Sequence, residues 1–338
     1  MRICLDCFKD SSLKQFIILN GEKGHCDFCG EEGTTIDAID LSEGFEGFIN
    51  SFKIDSTRGK SLINIAQEDW SIFSNKDVGT KILDYFLKDS NTIPSSNSLV
   101  SYSNDVVTQI DKWNILKDDL KARHRFLVDM NVLNEMNKES FSIHLQTINM
   151  DSPDISFYRA RINTKGRMSS YNRNEMGAPS KGLASAGRAN SEGIPFLYLS
   201  GNVKTTLYEV RSLFLDLVSV GLFVPKRSLS IVNFSIQESP FDNRYYDSSQ
   251  GIIGELVAKK ISNDLSKPMR RFDSLVDYVP TQFICEFIKY NSDADGICFK
   301  SSLCKEGVNY VIFEPDLMEC KEVTLYKINS VDISHIRS

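Results

Sequence analysis

The sequence predicts an α+β protein: a zinc-ribbon unit, then a helical region, then a mixed α/β domain. Three observations predict it. Two Cys-x-x-Cys pairs open the chain. Helical apolar spacing dominates residues 34–150. From Ile155, short strand-like runs alternate with turns and helices. The boundaries are set at 1–33, 34–150 and 151–338, within the reach of a 338-residue chain.

Cys4-x2-Cys7 and Cys26-x2-Cys29 lie eighteen residues apart, the spacing of a zinc ribbon. Each turn directs two thiolates at one ion, and four thiolates leave no position open for chemistry, so the zinc is read as structural. Phe16 to Leu19 (FIIL) is read as the strand between the turns. Gly24 and Gly30 supply tight backbone beside the second pair. Four unrelated thiols, or a redox Cys-x-x-Cys, are the weaker readings. Cys285, Cys298, Cys304 and Cys320 are scattered among apolar residues, which suits small core residues in a reducing compartment.

Residues 34–150 read as mostly helical. Phe45, Phe48, Ile49 and Phe52 recur at helical spacing, as do Ile82, Tyr85 and Phe86. Ser90 to Ser103 is rich in Ser and Asn around Pro94 and is read as a loop. Asn104 to Phe126 is a helix with Val106, Val107, Ile110, Trp113, Leu116 and Leu120 on one face, and polar Asn149 to Asp154 introduces the next domain.

The third region offers strands at FYRARI (157–162), FLYLS (196–200), 229–235, 296–299, 309–315 and 322–328. Helices are expected at Thr206–Leu217, Ile252–Leu265 and Pro280–Tyr290. Short strands separated by turns do not make a regular βαβ series, so a doubly wound sheet is not expected. There is no G-x-G-x-x-G after a strand and no P-loop, so a nucleotide would be held by side chains and local loops.

Candidate site residues cluster here, each with a plainer alternative. Arg159 and Arg161 point to one face of a strand, and a guanidinium fork matches phosphate oxygens; the alternative is two solvated arginines. Arg188 follows Gly187, which lets backbone approach a ligand; the alternative is a surface loop. Tyr198 offers an aromatic face for a nicotinamide or ribose, or simply core packing. Glu209 offers a carboxylate, but Thr206-x-x-Glu209 also matches a capping box. Ser301 and Ser302 end a strand and could bond an amide or a phosphate.

In order, these residues resemble the RES domain, named for its Arg, Glu and Ser. The matching elements are Arg159 in a first strand, GRAN (187–190), a strand reaching Leu197-Tyr198, Thr205-Thr206-x-x-Glu209, and Ser301 before Asn309-x-Val311-x-Phe313. Asp277 to Lys289 resembles the family's later helix. Thr206 replaces the family's usual small residue, and Lys300 stands where Pro is frequent, which leaves Ser301 against Ser302 open, with Ser301 favoured by position. The N-terminal half resembles the zinc-ribbon and HEPN-like extension of longer members. None of the four histidines has an arginine at the HEPN nuclease spacing, so no RNase activity is expected.

The resemblance implies an ADP-ribosyltransferase-like fold and an enzyme that splits NAD at the nicotinamide–ribose bond, with water or inorganic phosphate as acceptor. It implies a toxin or phage-defence effector, with an antitoxin or regulatory protein as partner and homodimer formation open. Arg159, Arg161 and Arg188 would bind NAD, with Tyr198, Glu209 and Ser301 at the reacting end. The rivals are ADP-ribosyl transfer to a macromolecule and a zinc-dependent interaction protein with a degenerate RES domain.

A formal net charge of −6 argues against nucleic acid as a partner class. Cysteines occupy the place of a signal peptide's apolar stretch, and no run has the length of a membrane span, so a cytoplasmic protein is expected.

Overall fold

The computed structural model describes residues 1–88, 90–128, 144–149, 156–242, 247–268 and 274–331. The chain divides into two compact units, Met1–Asn114 with Gln237–Val257, and Ile115–Ile236 with Ala258–Ser338.

The first unit begins with β1 (Arg2–Cys4), helix α1 (Ser11–Asn20), β2 (Glu22–His25) and β3 (Glu32–Asp37). The strands form an antiparallel sheet in the order β1-β3-β2. The FIIL run expected as a strand lies inside α1 instead. Asp10 caps this helix, its side chain accepting from Leu13 N at 2.9 Å. Leu13 and Ile17, four apart, are buried, while Phe16, Ile18 and Leu19 are exposed. The apolar run therefore wraps around a helix rather than filling both faces of a strand.

Next come α2 (Ser42–Asn50), β4 (Phe52–Ile54), β5 (Lys60–Ser61), the short α3 (Leu62–Asn64), α4 (Lys76–Phe86), β6 (Leu99–Tyr102) and α5 (Asn104–Ala122), which belongs to the second unit from Ile115 on. Helix α2 buries Phe45, Phe48 and Ile49, with Phe45 stacked on Phe86 at 4.3 Å. Phe52, expected on that helix, opens β4. The expected loop 90–103 ends in β6, which pairs with β4 and β5. Helix α5 buries Val106, Ile110, Trp113, Leu116 and Leu120, but Val107 faces out and the helix stops before Phe126. The region is thus helical with a small added sheet. The expected linker Asn149 to Asp154 lies almost wholly outside the described residues.

The second unit contains β7 (Leu145–Ile148), β8 (Phe157–Ile162), β9 (Leu197–Ser200), α6 (Val203–Glu209), β10 (Leu217–Pro225), β11 (Leu229–Asn233), helix α7 (Ser248–Ser266), whose C-terminal half belongs here, α8 (Val279–Asn291), β12 (Gly296–Lys300), β13 (Val308–Ile312) and β14 (Met318–Lys327). Eight strands form one sheet in the order β14-β10-β8-β9-β13-β12-β11-β7. Its pairs are antiparallel except β11 with β12. Phe157, Leu197, Leu199, Phe223, Ile231 and Ile312 share a core on the sheet. The protein is α+β, and among the described residues no helix is long and apolar enough to cross a membrane.

The helix expected over Thr206–Leu217 is wrong in both directions. Its N-cap is Asn202, whose Oδ1 accepts from Thr205 N at 2.8 Å, and it ends at Glu209. Arg211 and Leu215 then adopt positive φ (52° and 71°), a conformation L-residues rarely take, and this turns the chain out of the helix. Leu217–Pro225 is a nine-residue strand between β8 and β14. Val218, Val220 and Phe223 are buried in it.

Candidate active site and metal centre

Strands β8 and β9 are neighbours that pair at one position, Tyr158 with Ser200. Beyond it the sheet splits. Two side-chain bonds bridge the split: Arg159 Nη1 donates to Tyr198 O at 3.1 Å, and Ala160 N donates to Thr206 Oγ1 at 3.0 Å. A cleft of about 400 Å³ opens there, lined by Arg159, Arg188, Tyr198, Glu209, Arg211 and Asn309 among others.

Glu209 is the last residue of α6, so it cannot be the third residue of a capping box; Asn202 does that work at the other end. Its Oε1 accepts from Ser301 Oγ and from Asn309 Nδ2, each at 2.7 Å. Its Oε2 takes no hydrogen bond from a described residue. Ser301 is buried and also accepts from Leu303 N and Cys304 N, which pins the turn after β12. Ser302 points elsewhere, donating to Ser266 O at the end of α7. Asn309 was not singled out from the sequence, although it opens the Asn-x-Val-x-Phe run; its side chain belongs to the site only because β13 lies beside β9.

The arginines divide. Arg159 lines the cleft, with Nε buried and without a hydrogen-bond partner. Burial first, and the nearby Arg161 charge second, push its pKa down to about 10. No described carboxylate forms an ion pair with Arg159, Arg161 or Arg188. Arg161 does not line the cleft; its Nη2 donates to Gly177 O at 2.8 Å. Arg188 does line it, yet its Nη1 is held by Leu265 O and Ser266 O at 3.0 and 3.1 Å, where a cation suits the carbonyl end of α7.

Tyr198 puts its ring in the cleft wall and its hydroxyl into the 187–190 loop. The hydroxyl donates to Asn190 Oδ1 at 2.7 Å and accepts from Ala189 N at 3.0 Å. Burial raises its pKa well above the usual range, so it stays a neutral donor. Asn190 Nδ2 donates to three carbonyls of the same loop, and Gln282 and Thr281 on α8 hold Gly187 O and Arg188 O. Gly187 is small for a reason different from that expected. A Cβ there would lie 2.5 Å from the Tyr198 hydroxyl and 2.4 Å from Asn190 Oδ1. The close approach is to the protein's own side chains.

A family model described as the RES domain matches residues 157–332, just over half of the chain. The chain belongs to the RES-domain family. The cleft lies within the RES domain, as do Arg159, Arg188, Tyr198, Glu209, Ser301 and Asn309. No curated protein matches the chain.

Outside the RES domain, Cys4, Cys7, Cys26 and Cys29 bring their sulfurs within 4.8 Å of one another. The closest pairs are at 3.5–3.6 Å. A tetrahedral ion with metal–sulfur bonds of ~2.3 Å requires sulfurs ~3.8 Å apart, so the donor set can hold a metal ion. Cys4 ends β1, Cys26 follows β2, and Gly30 takes a positive φ of 84° to turn the chain into β3. Burial raises the Cys4 thiol to about 11 and Cys7 further. Burial also raises Cys26, but the backbone N–H groups of Cys29, Phe28 and Cys4 outweigh it and bring that thiol to about 7.

Proposed function

We propose that this RES domain cleaves NAD at the nicotinamide–ribose bond, with water or inorganic phosphate as acceptor. The RES family is generally associated with enzymes that act on NAD. The observation that carries the reading is the Glu209 carboxylate. It lines a cleft that also holds Arg159, a cation without a carboxylate counter-ion among the described residues.

Arg159 and the outer part of Arg188 bind the pyrophosphate, and the ring of Tyr198 supports the nicotinamide or its ribose. The C1′–N bond breaks and its electron pair neutralises the pyridinium nitrogen, so no general acid is needed. Positive charge develops at C1′, and Glu209 stabilises it, an electrostatic contribution realised in the transition state. The acceptor oxygen then bonds to C1′: water releases a proton to solvent as it does so, whereas phosphate attacks through an oxygen that is already deprotonated. Arg161, held at Gly177, acts on the substrate only through its charge beside Arg159. The four cysteines hold a structural zinc ion. In the cell this activity suits a toxin or phage-defence effector restrained by a regulatory protein.

Purified protein incubated with NAD should release nicotinamide, and Glu209→Gln should lose the activity while still binding ADP-ribose. No release with or without phosphate sinks the proposal. Label from NAD retained on a macromolecule would convert it to ADP-ribosyl transfer.

A further inference from the structure

We infer that Asn309 is a positioning residue for Glu209 and that Ser200 holds Asn309 in place, so that the three side chains act as one relay. The inference rests on the role proposed for Glu209.

The relay follows from strand register. Asn309 on β13 lies directly opposite Ser200 on β9. Side chains directly opposite in an antiparallel pair project from the same face. Ser200 Oγ donates to Asn309 Oδ1 at 3.0 Å, and Asn309 Nδ2 donates to Glu209 Oε1 at 2.7 Å. An amide can present either its oxygen or its nitrogen to a neighbour. If Asn309 turned over, its oxygen would face the carboxylate and its N–H₂ would face the Ser200 hydroxyl. The Glu209 carboxylate only accepts, so it takes the nitrogen, and the Ser200 proton on Oδ1 holds the far end of the amide in that orientation. Ser200 is 2% exposed and Asn309 7%, so these bonds are largely shielded from bulk water.

The consequence is chemical. Asn309 and Ser301 together occupy Oε1 and leave Oε2 as the oxygen presented by the carboxylate. Ser301 alone would let the carboxylate rotate about its side-chain torsions. Two donors, one in the turn after β12 and one on β13, fix it, which is how a site keeps charge aimed before the reaction begins.

The test uses nicotinamide release by the full chain. Asn309→Asp keeps the shape but sets an acceptor against Glu209 Oε1. It should lower kcat about 100-fold, ~2.7 kcal/mol, with KM for NAD within about threefold. The ratio of variant to wild-type kcat should rise as pH falls from 8 to 5, because a protonated Asp donates as the amide did. Ser200→Ala should lower kcat by roughly fivefold, and adding it to Asn309→Asp should cost nothing further, since Ser200 acts only through the amide. A kcat within twofold of wild type for Asn309→Asp, a pH-independent ratio, or additive losses would overturn the inference. A second measurement needs no turnover. In ¹⁵N-labelled protein, one Asn309 side-chain proton should lie downfield and lose that shift in Glu209→Ala. If it does not move, the relay is absent whatever the substrate; if it moves while wild type releases no nicotinamide, only the NAD reading fails.

Discussion

Ser301 Oγ lies 2.7 Å from Glu209 Oε1, although the two residues are 92 positions apart. Ser302, one position on, donates to Ser266 O and is exposed. Ser301→Ala should therefore lower the rate of nicotinamide release about 10- to 100-fold, the range of a charge-assisted bond of ~1.5–3 kcal/mol. Ser302→Ala should leave it within twofold. Steady-state rates for the two variants decide which serine matters; equal losses would contradict the geometry.

Arg159 is held in the cleft wall at a cost that a bound anion would relieve. Its folded pKa of about 10 lies below the ordinary 12.5, so the folded state binds fewer protons than the unfolded chain only between those values. The stability linked to this group rises with pH there and is flat, and at its lowest, below about pH 10. Arg159→Met should thus melt at or above wild type without ligand, with a difference that does not change from pH 6 to 9. It should lose the stabilisation by ADP-ribose, which for wild type at a hundredfold excess over Kd is about 2.7 kcal/mol. Thermal unfolding with and without ADP-ribose measures both; a retained ligand shift would exclude Arg159 from the binding site.

Arg188 should reveal two functions in one residue. Its bonds to Leu265 O and Ser266 O close the end of α7. Arg188→Ala should cost roughly 1–2 kcal/mol of stability through that end and also raise KM for NAD. Hydrogen exchange of the 258–268 peptide should quicken. Unchanged exchange would mean that the bonds to the helix end carry no stability.

The four sulfurs predict about one zinc ion per chain, bound by thiolates. Cys7→Ser, at a fully buried corner of the set, should abolish stoichiometric metal and lower the melting temperature of the metal-bearing unit. Elemental analysis beside calorimetry checks this; full zinc occupancy in the variant would show that the sulfurs are not its ligands.

Local features were legible in the sequence wherever a residue's neighbours along the chain decide its conformation. The apolar spacing of Ile252–Leu265 and Pro280–Tyr290 found helices that the structure contains, and 229–235 and 322–328 hold real strands. Legibility failed where two local signals competed. FIIL has strand-forming residues but follows an Asp10 cap, and the cap with Leu13 and Ile17 prevails. The stretch after Glu209 continues a helical pattern, yet Val218 and Val220 are claimed by sheet neighbours on both sides.

By itself the sequence determined the cysteine spacing, the α+β class and the order of Arg159, Arg188, Tyr198, Glu209 and Ser301 along the chain. Only the tertiary structure decided what each side chain meets. It separated Arg161 from the cleft, committed one edge of Arg188 to a helix end, gave the cap to Asn202 instead of a Thr206–Glu209 box, and brought Ser301 and Asn309 onto one carboxylate oxygen. The reason is physical. Spacing along a chain reports the face of one element, whereas a cleft is made by strands that meet from distant segments, and their register cannot be read from any one of them.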